Sequence, residues 1–443
     1  VVPDDQAWTL WGADPYADGL RPVSDAASAR RVVLPDRLPE ALGDALRRLV
    51  EDLPVDRRVE VRAAPALGGP RLERALGARP TPGGAREEEG DDEEGDDDGH
   101  EDHGDMMAIT GAPGSDGLVM EPIDTIVGPL AGPLPGGLTV GVRLAGDVVE
   151  DCRIDALLHA AQPAPDRPPD PLAPSAWRAA LATAAGECPA AEGWRAVAAV
   201  ELERAVSHVA WLRAFARLLG WAALVEACTA ALGPLGAARR GVRDGLPAGS
   251  DLDQGLGALA SLRGAVGGRR MSVRTRGRTV VDSAVVGAHG LAGPLARATG
   301  VATDARTADV AYAALGFAPV VEADGDARAR TVLRHAEAVA AAELAVAALA
   351  HDAAGHAVTP FGDGAGGALV EGPRGPLRAR VTGGVLRLAA PGAHAARTVA
   401  ARSAVGQEWA GALVCLASFD LSPWRVGLGG SIAREPARDR GGP

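Results

Sequence analysis

The sequence predicts a mainly helical α+β protein: a helical bundle flanked by small antiparallel sheets, with a small α/β unit at the N-terminal end. Three observations carry this prediction. From Gly193 to Trp221 the chain reads GWRAVAAVELERAVSHVAWLRAFARLLGW, and Leu202, Val206, Val209 and Ala216 recur at helical spacing. Helical patterns dominate from about Trp177 to His351, and ARARTVLRHAEAVAAAELAVAALA, about 327 to 350, is among the clearest. Alternating, turn-bounded segments lie on either side of this helical region. With 47% hydrophobic but only 3% aromatic residues, the core must be built mainly from Ala, Val and Leu.

Taken in order, residues 1–82 read as a small α/β accessory domain, in which strand-like RRVVLP and RRVEVRAA flank the amphipathic LPEALGDALRRLVEDL. Residues 83–107 form an acidic linker, too charged to bury and expected to be disordered. A core domain is expected over 108–430. It opens on a Pro/Gly-rich loop and two alternating strands, LTVGVRLA and VVEDCRIDAL, joined by the hairpin signal Gly146–Asp147. The Pro-rich AAQPAPDRPPDPLAP leads into the helices. Beyond them, GALVEGPRGPLRARVTGGVLRLAAP reads as a β-hairpin and GALVCLASFDLSPW as a terminal buried strand and turn. Residues 431–443 read as a disordered tail.

Composition narrows the function classes. Net charge is −13, but residues 87–105 alone hold thirteen acidic and no basic residues, so the rest of the chain is balanced. That balance argues against a nucleic-acid partner. Lys and Asn are absent while Ala, Arg, Gly, Pro and Asp abound, a pattern of genomic base composition that discourages reading arginine clusters as nucleic-acid footprints. Cys152, Cys188, Cys228 and Cys415 form no C-x-x-C pair, which excludes an ordinary local zinc or iron–sulfur motif and fits a reducing cytoplasm. VVPDDQAWTL lacks the regions of a signal peptide, and the longest apolar stretches are interrupted by Glu226 and Glu343, so they suit core helices better than membrane spans. GDGAGG (Gly362–Gly367) satisfies G-x-G-x-x-G but precedes a strand-like segment, not the helix N-terminus that holds a pyrophosphate. His100 and His103 in the linker could hold a divalent metal loosely, or be part of a solvated spacer.

Within the long helix, Glu201, Arg204 and His208 stand at i, i+3 and i+7 and project together from a face distinct from the apolar one. The string ELERAVSH resembles the signature helix of one family. That family unites the hydrogenase-like subunit of bacterial NADH–quinone oxidoreductase (complex I) with the large subunit of membrane-bound nickel–iron hydrogenases. Further motifs follow in that family's order over roughly residues 119–428. GPLAGPLPGGLTVGVRLAGDVV resembles its Gly-Pro loop and first hairpin, and ALLHAA stands at its Tyr-x-His-Arg-Gly segment. GLAGPLARATG (Gly290–Gly300), GDARARTVLRHAE and VEGPRGPL resemble its G-x-x-G-P-x-x-R-A-x-G, G-D-x-x-x-R and V-E-x-P-R-G-E motifs. LASFDLSPWRVG lies where hydrogenases carry D-P-C-x-x-C.

The resemblance implies a degenerate member. A nickel–iron site needs four thiolates, yet alignment on Asp420 puts Ser422 and Arg425 where the C-terminal pair would be, and Cys188 stands alone upstream. No metal is expected. In complex I the family's site receives a quinone headgroup through a His, a Tyr and an Asp. The aligned loop here holds Leu130, Ala131 and Gly132, the Tyr position is Leu157, the Asp position is Leu218 and the segment's Arg is Ala160. His159 remains as the one candidate acid–base group. Glu201, Arg204, Ser207 and His208 are retained as a polar cluster, open to a structural reading or to ligand and proton handling. Gly293, Pro294, Arg297, Gly325, Asp326, Arg330, Pro373, Arg374 and Asp420 are retained scaffold positions. The resemblance thus implies a subunit of a membrane-associated NADH–quinone-oxidoreductase-like or hydrogenase-like complex, forming the large-subunit scaffold near the electron-acceptor site. A non-catalytic pseudo-subunit that braces an ion-translocating assembly is the alternative. Either way the chain would hold no cofactor directly. An iron–sulfur cluster would sit in a partner small subunit, with quinone as the ligand, membrane-arm subunits as further partners, and the inner face of the cell membrane as the location.

Overall fold

The computed structural model describes residues 117, 120–128, 134–135, 137–156, 170 and 172–425; three further short strands, at 32–35, 60–63 and 431–433, are described by their backbone. The acidic linker and the helix read at 38–53 lie outside the described residues. Strands β1 (Val32–Pro35) and β2 (Glu60–Ala63) fall on the two segments read as strands and pair in parallel.

The core is mainly helical with small antiparallel sheets, as expected of an α+β chain. Strands β3 (Ile123–Val127), β4 (Leu138–Ala145) and β5 (Val148–Ala156) form one sheet in the order β3-β4-β5. The β4–β5 turn is Gly146–Asp147, with Gly146 at φ 61°. Helices α1 (Pro174–Ala185), α2 (Gly193–Leu218), α3 (Ala222–Asp244) and α4 (Gly249–Gly267) follow. Five shorter or later helices continue the chain: α5 (Arg269–Thr275), α6 (Ser283–His289), α7 (Pro294–Arg297), α8 (Val310–Ala314) and the long α9 (Ala327–Ala353). Helix α2 packs against α9 and α3, with α4 behind. Alanines 338, 341, 342, 345 and 348 of α9 are fully buried, and these small side chains allow the close approach that an aromatic-poor core needs. Helix α2 is buried around nearly its whole circumference from Val197 to Ala216, so its polar face meets protein, not water.

Three sequence expectations need correction. The segment read as a hairpin is three strands, β6 (Gly367–Gly372), β7 (Gly375–Thr382) and β8 (Val385–Ala389), because Gly383–Gly384, at φ 58° and 76°, supplies a second reversal. Strand β9 (Ser431–Ala433) pairs with β8, so the first residues of the segment read as a disordered tail join the core sheet. The segment read as a terminal buried strand is helix α11 (Trp409–Phe419), which packs on α10 (Ala393–Ala404). Ala412, Cys415, Leu416 and Phe419 are buried at i, i+3, i+4 and i+7, a helical period that the unbroken apolar run conceals.

Candidate functional site

The site is built where α2, α9, the α7 loop and the β6–β7 turn meet. Two glycines let these elements touch. Gly293 (φ 70°) starts α7, and a Cβ there would stand 2.5 Å from the Cα of Gly375 in the β6–β7 turn. Gly325 (φ 63°) precedes α9, and a Cβ there would stand 2.0 Å from the Val281 carbonyl oxygen. Asp326 then caps α9 by accepting from Ala329 N at 2.7 Å, and its other oxygen accepts from Gly277 N at 2.6 Å.

On this frame the polar groups of α2 enter a buried charge network. Glu201 accepts from Arg204 Nε at 3.1 Å, Arg306 Nη1 at 3.0 Å and the Tyr312 hydroxyl at 2.6 Å. Arg204 also donates to the backbone carbonyls of Gly372 (3.0 Å) and Glu371. Arg306 reaches Asp304 with two nitrogens, at 2.9 and 2.8 Å. Arg297 donates to Glu337 at 2.5 Å and to Glu371 at 2.9 Å, and pairs with Asp304 at 2.9 Å. His208 does not join Glu201 and Arg204; its Nε2 lies 2.9 Å from Glu337 on α9. Ser207 and Asp420 are bridged by Arg374, at 3.3 and 2.9 Å. Arg330 donates to Ser418, Gly325 O and Thr279 O, tying α9 to α11. These groups are almost wholly buried.

Burial and pairing oppose each other here, and pairing wins at most positions. Burial alone would raise Glu201, but Arg204, Arg306 and the Tyr312 hydroxyl hold its carboxyl below the usual range. Burial also works against ionised Glu337, yet Arg297 and His208 hold it well below 4.5. Burial disfavours charge on Arg297, but Glu337, Glu371 and Asp304 raise its pKa. Burial lowers His208 to about 4, with Arg334 and Arg204 adding to the effect against the pull of Glu337. A neutral His208 therefore donates from Nε2 to ionised Glu337. Glu371 alone among the four carboxylates is raised, by burial and by neighbouring Asp304.

The remaining expected positions divide. His159, Leu157, Ala160 and Leu130–Gly132 lie outside the described residues. Leu218, at the Asp position, ends α2 half-buried against the apolar core. Ser422 donates to Asp170 at 3.3 Å and Arg425 to the Pro376 carbonyl at 3.1 Å, so the two thiolate positions hold a hydroxyl and a guanidinium. Cavities of about 10 and 30 Å³ flank Asp420. Each has room for one or two water-sized bodies and not for a quinone ring. Sequence reasoning did not single out Asp304, Arg306, Tyr312, Glu337 or Glu371 as site residues. A signal for some of them is present: Arg330, Arg334 and Glu337 share one helical stripe, and Glu371 belongs to the V-E-x-P-R-G motif.

Comparison with known proteins bears out the resemblance drawn from the motifs. Residues 265–359 match the family model described as "Respiratory-chain NADH dehydrogenase, 49 Kd subunit". That span holds Gly293, Pro294, Arg297, Asp304, Arg306, Tyr312, Asp326, Arg330 and Glu337. The fold is similar to that of a chain in the structure of the membrane-bound sulfane sulfur reductase, an archaeal respiratory membrane complex, with a TM-score of 0.56 and 19% identity. The likeness covers 69% of this chain and 98% of that one. No curated protein matches the sequence. Among the described residues no helix is long and apolar enough to cross a membrane.

Proposed function

We propose that the chain is the large-subunit-like scaffold of a membrane-associated, oxidoreductase-like complex, and that it braces that assembly without supplying acid–base groups at an electron-acceptor site. The observation that carries this reading is the bonding of the signature helix to other elements of its own chain. Beyond the Glu201–Arg204 pair within α2, Glu201 meets Arg306, Arg204 meets the end of β6 and His208 meets α9, and each of these pairings fixes α2 against another part of the same chain. A group so engaged orders a fold. The likeness to a respiratory-complex chain supports a multi-subunit setting on a membrane; the partners we propose, from the motif resemblance, are an iron–sulfur small subunit and membrane-arm subunits, at the inner face. In this reading residues 108–430 are a variant of the large-subunit fold. Residues 1–82 are an accessory unit on the acidic 83–107 tether, and the tail begins after β9.

The test is a pair of substitutions in the native host, with the complex recovered through a tag on this chain. Arg204→Ala is expected to abolish recovery of partner subunits, because it leaves Glu201 and two carbonyls short of a buried donor. His159→Ala is expected to leave assembly and turnover intact. Normal assembly of the Arg204 variant together with lost turnover of the His159 variant would overturn the brace and return the chain to the acceptor chemistry. Recovery of the unaltered chain alone, with no redox-type subunits, would overturn the complex itself.

A further inference from the structure

A run of positive charge faces outward, apart from the buried network. From Arg263 to Val280 the chain holds six arginines and no acidic residue. We propose that this face docks the chain's own acidic segment, residues 87–105, whose thirteen carboxylates have no base among them.

The face is fixed by its inner side. Helix α5 turns Met271 and Thr275, at i and i+4, into the protein, where both are fully buried. The Arg276–Arg278 turn is clamped from behind: Asp326 accepts from Gly277 N at 2.6 Å, and the Arg278 carbonyl accepts from Ala327 N at 3.0 Å. Arg263, Arg269, Arg270, Arg274, Arg276 and Arg278 are left exposed, and so is Val273, at 70%. Among the described residues none of the six pairs with a carboxylate. Arg270 stacks over Trp221 at 4.8 Å, while Asp282 and Asp326, the nearest acids along the chain, are engaged by backbone N–H groups. Like charges held on one face without answering carboxylates create a positive potential that attracts a polyanion.

The acidic segment enters the described fold close to this face. It leads into β3, which starts at Ile123. Ile123 lies opposite Leu144 on β4, Leu144 lies opposite Val149 on β5, and Val149 bonds the backbone of Gly406 and Gln407. Three strand spacings therefore separate the start of β3 from Gln407, about 14 Å in all. The Gln407 side chain then donates to Thr279 at 3.4 Å, inside the basic run. Val281, next to that run, shares one core cluster with Val142 and Val149 of the sheet. Residues 106–122 connect Asp105 to β3, and a chain of that length reaches up to roughly 55–60 Å when extended. Each exposed ion pair is weak. Many such pairs on one short connection act together, because the connection holds the segment at an effective concentration in the millimolar range. That advantage belongs to the chain's own segment and to no separate polyanion. The contact lies within one chain and does not depend on the scaffold role.

Trypsin tests this in the full chain, because the Arg276–Arg278 turn presents exposed arginyl bonds. Cleavage there is compared in about 20 mM and about 500 mM NaCl, since the higher salt screens exposed charge pairs, and is referred to a small reference substrate in the same tube. In the unaltered chain it is expected to be about tenfold slower at low salt. A variant with the thirteen acids of residues 87–105 changed to Gln and Asn is expected to be cleaved fast at both. Equal rates for the two chains at low salt would overturn the proposal. Protection of both chains alike by anionic phospholipid vesicles, with none in their absence, would overturn it in favour of a membrane surface. Protection that rises with chain concentration would assign the face to a second copy's segment and overturn the intrachain contact. If the turn resists trypsin in every state, a fluorescein-labelled peptide of residues 83–107 is titrated into the neutralised chain at low salt. The peptide should bind, and Arg274→Gln, Arg276→Gln and Arg278→Gln together should weaken it about tenfold. No binding, or equal binding with and without the three arginines, would overturn the docking face.

Discussion

His208 gives the sharpest consequence of a single residue. Its imidazole is neutral in the fold, with a pKa lowered by burial from 6.5 to about 4. Between those values the unfolded chain binds a proton that the native chain does not, so this contribution to stability is complete above pH 6.5 and is lost as pH falls toward 4. A shift of this size corresponds to about 3 kcal/mol. Glu337, held well below 4.5, adds a loss that begins only below that value. His208→Gln, which can still donate to Glu337, is expected to flatten the stability profile between about pH 6.5 and 4.5 in urea unfolding; an unchanged slope would contradict the neutral assignment. Arg204 is a different case, because its role is to pair and not to titrate. Arg204→Ala is expected to cost about 3–5 kcal/mol, because Glu201 keeps Arg306 but loses its second guanidinium partner and the Glu371 and Gly372 carbonyls lose their buried donor. Arg204→Lys should recover only part of it, since a point charge cannot serve Glu201 and two carbonyls at once.

At the scale of elements, the motifs are joints. The glycine of G-D lets the start of α9 lie against the Val281 backbone, and the glycine before Pro294 lets α7 lie against the β6–β7 turn. Gly325→Ala meets both a left-handed φ and a Cβ only 2.0 Å from a carbonyl oxygen, so it is expected to destabilise by more than about 3 kcal/mol. Gly355→Ala is the control. It has φ 72° but nothing within 4 Å of the added Cβ, and should cost only about 1–2 kcal/mol. Equal losses in chemical denaturation would show that backbone conformation, not the joint, sets the glycine at 325. Asp326→Ala removes both the cap of α9 and the clamp on Gly277, so its loss should exceed the roughly 1 kcal/mol of a simple cap.

For the whole molecule, the cysteines report the packing. Cys152, Cys228 and Cys415 are buried in the core, while Cys188 is half-exposed near the end of α1. Burial pushes the thiols of Cys152 and Cys228 up to about 12 and raises that of Cys415. A disulfide reagent at about pH 8 is expected to titrate Cys188 slowly in the native chain and the other three only after unfolding. Rapid native reaction of Cys415 would contradict α11 as a buried helix and favour an exposed alternative for the terminal segment.

Much of this architecture is legible in the residues themselves, where the signal is local. The spans of α2 and α9 follow from the helical period of about 3.6 residues, and the β4–β5 hairpin from alternation around Gly146–Asp147. Helix α11 misleads because a continuous apolar run carries no period that separates strand from helix, and only its packing on α10 and α2 shows which face is buried. The candidate site divides in the same way. The sequence alone determined that Glu201, Arg204 and His208 share a helix, that Arg330 and Glu337 share another, and that thiolates are missing beside Asp420. Only the tertiary structure decided that His208 belongs to Glu337, that Tyr312 and Arg306 close on Glu201 from more than a hundred residues away, and that Arg334 and Arg425 converge on one cavity. Helical and strand periods come from the backbone's own geometry and repeat within a few residues, whereas the partner of a buried charge is chosen by which distant segments the apolar core brings within about 3 Å.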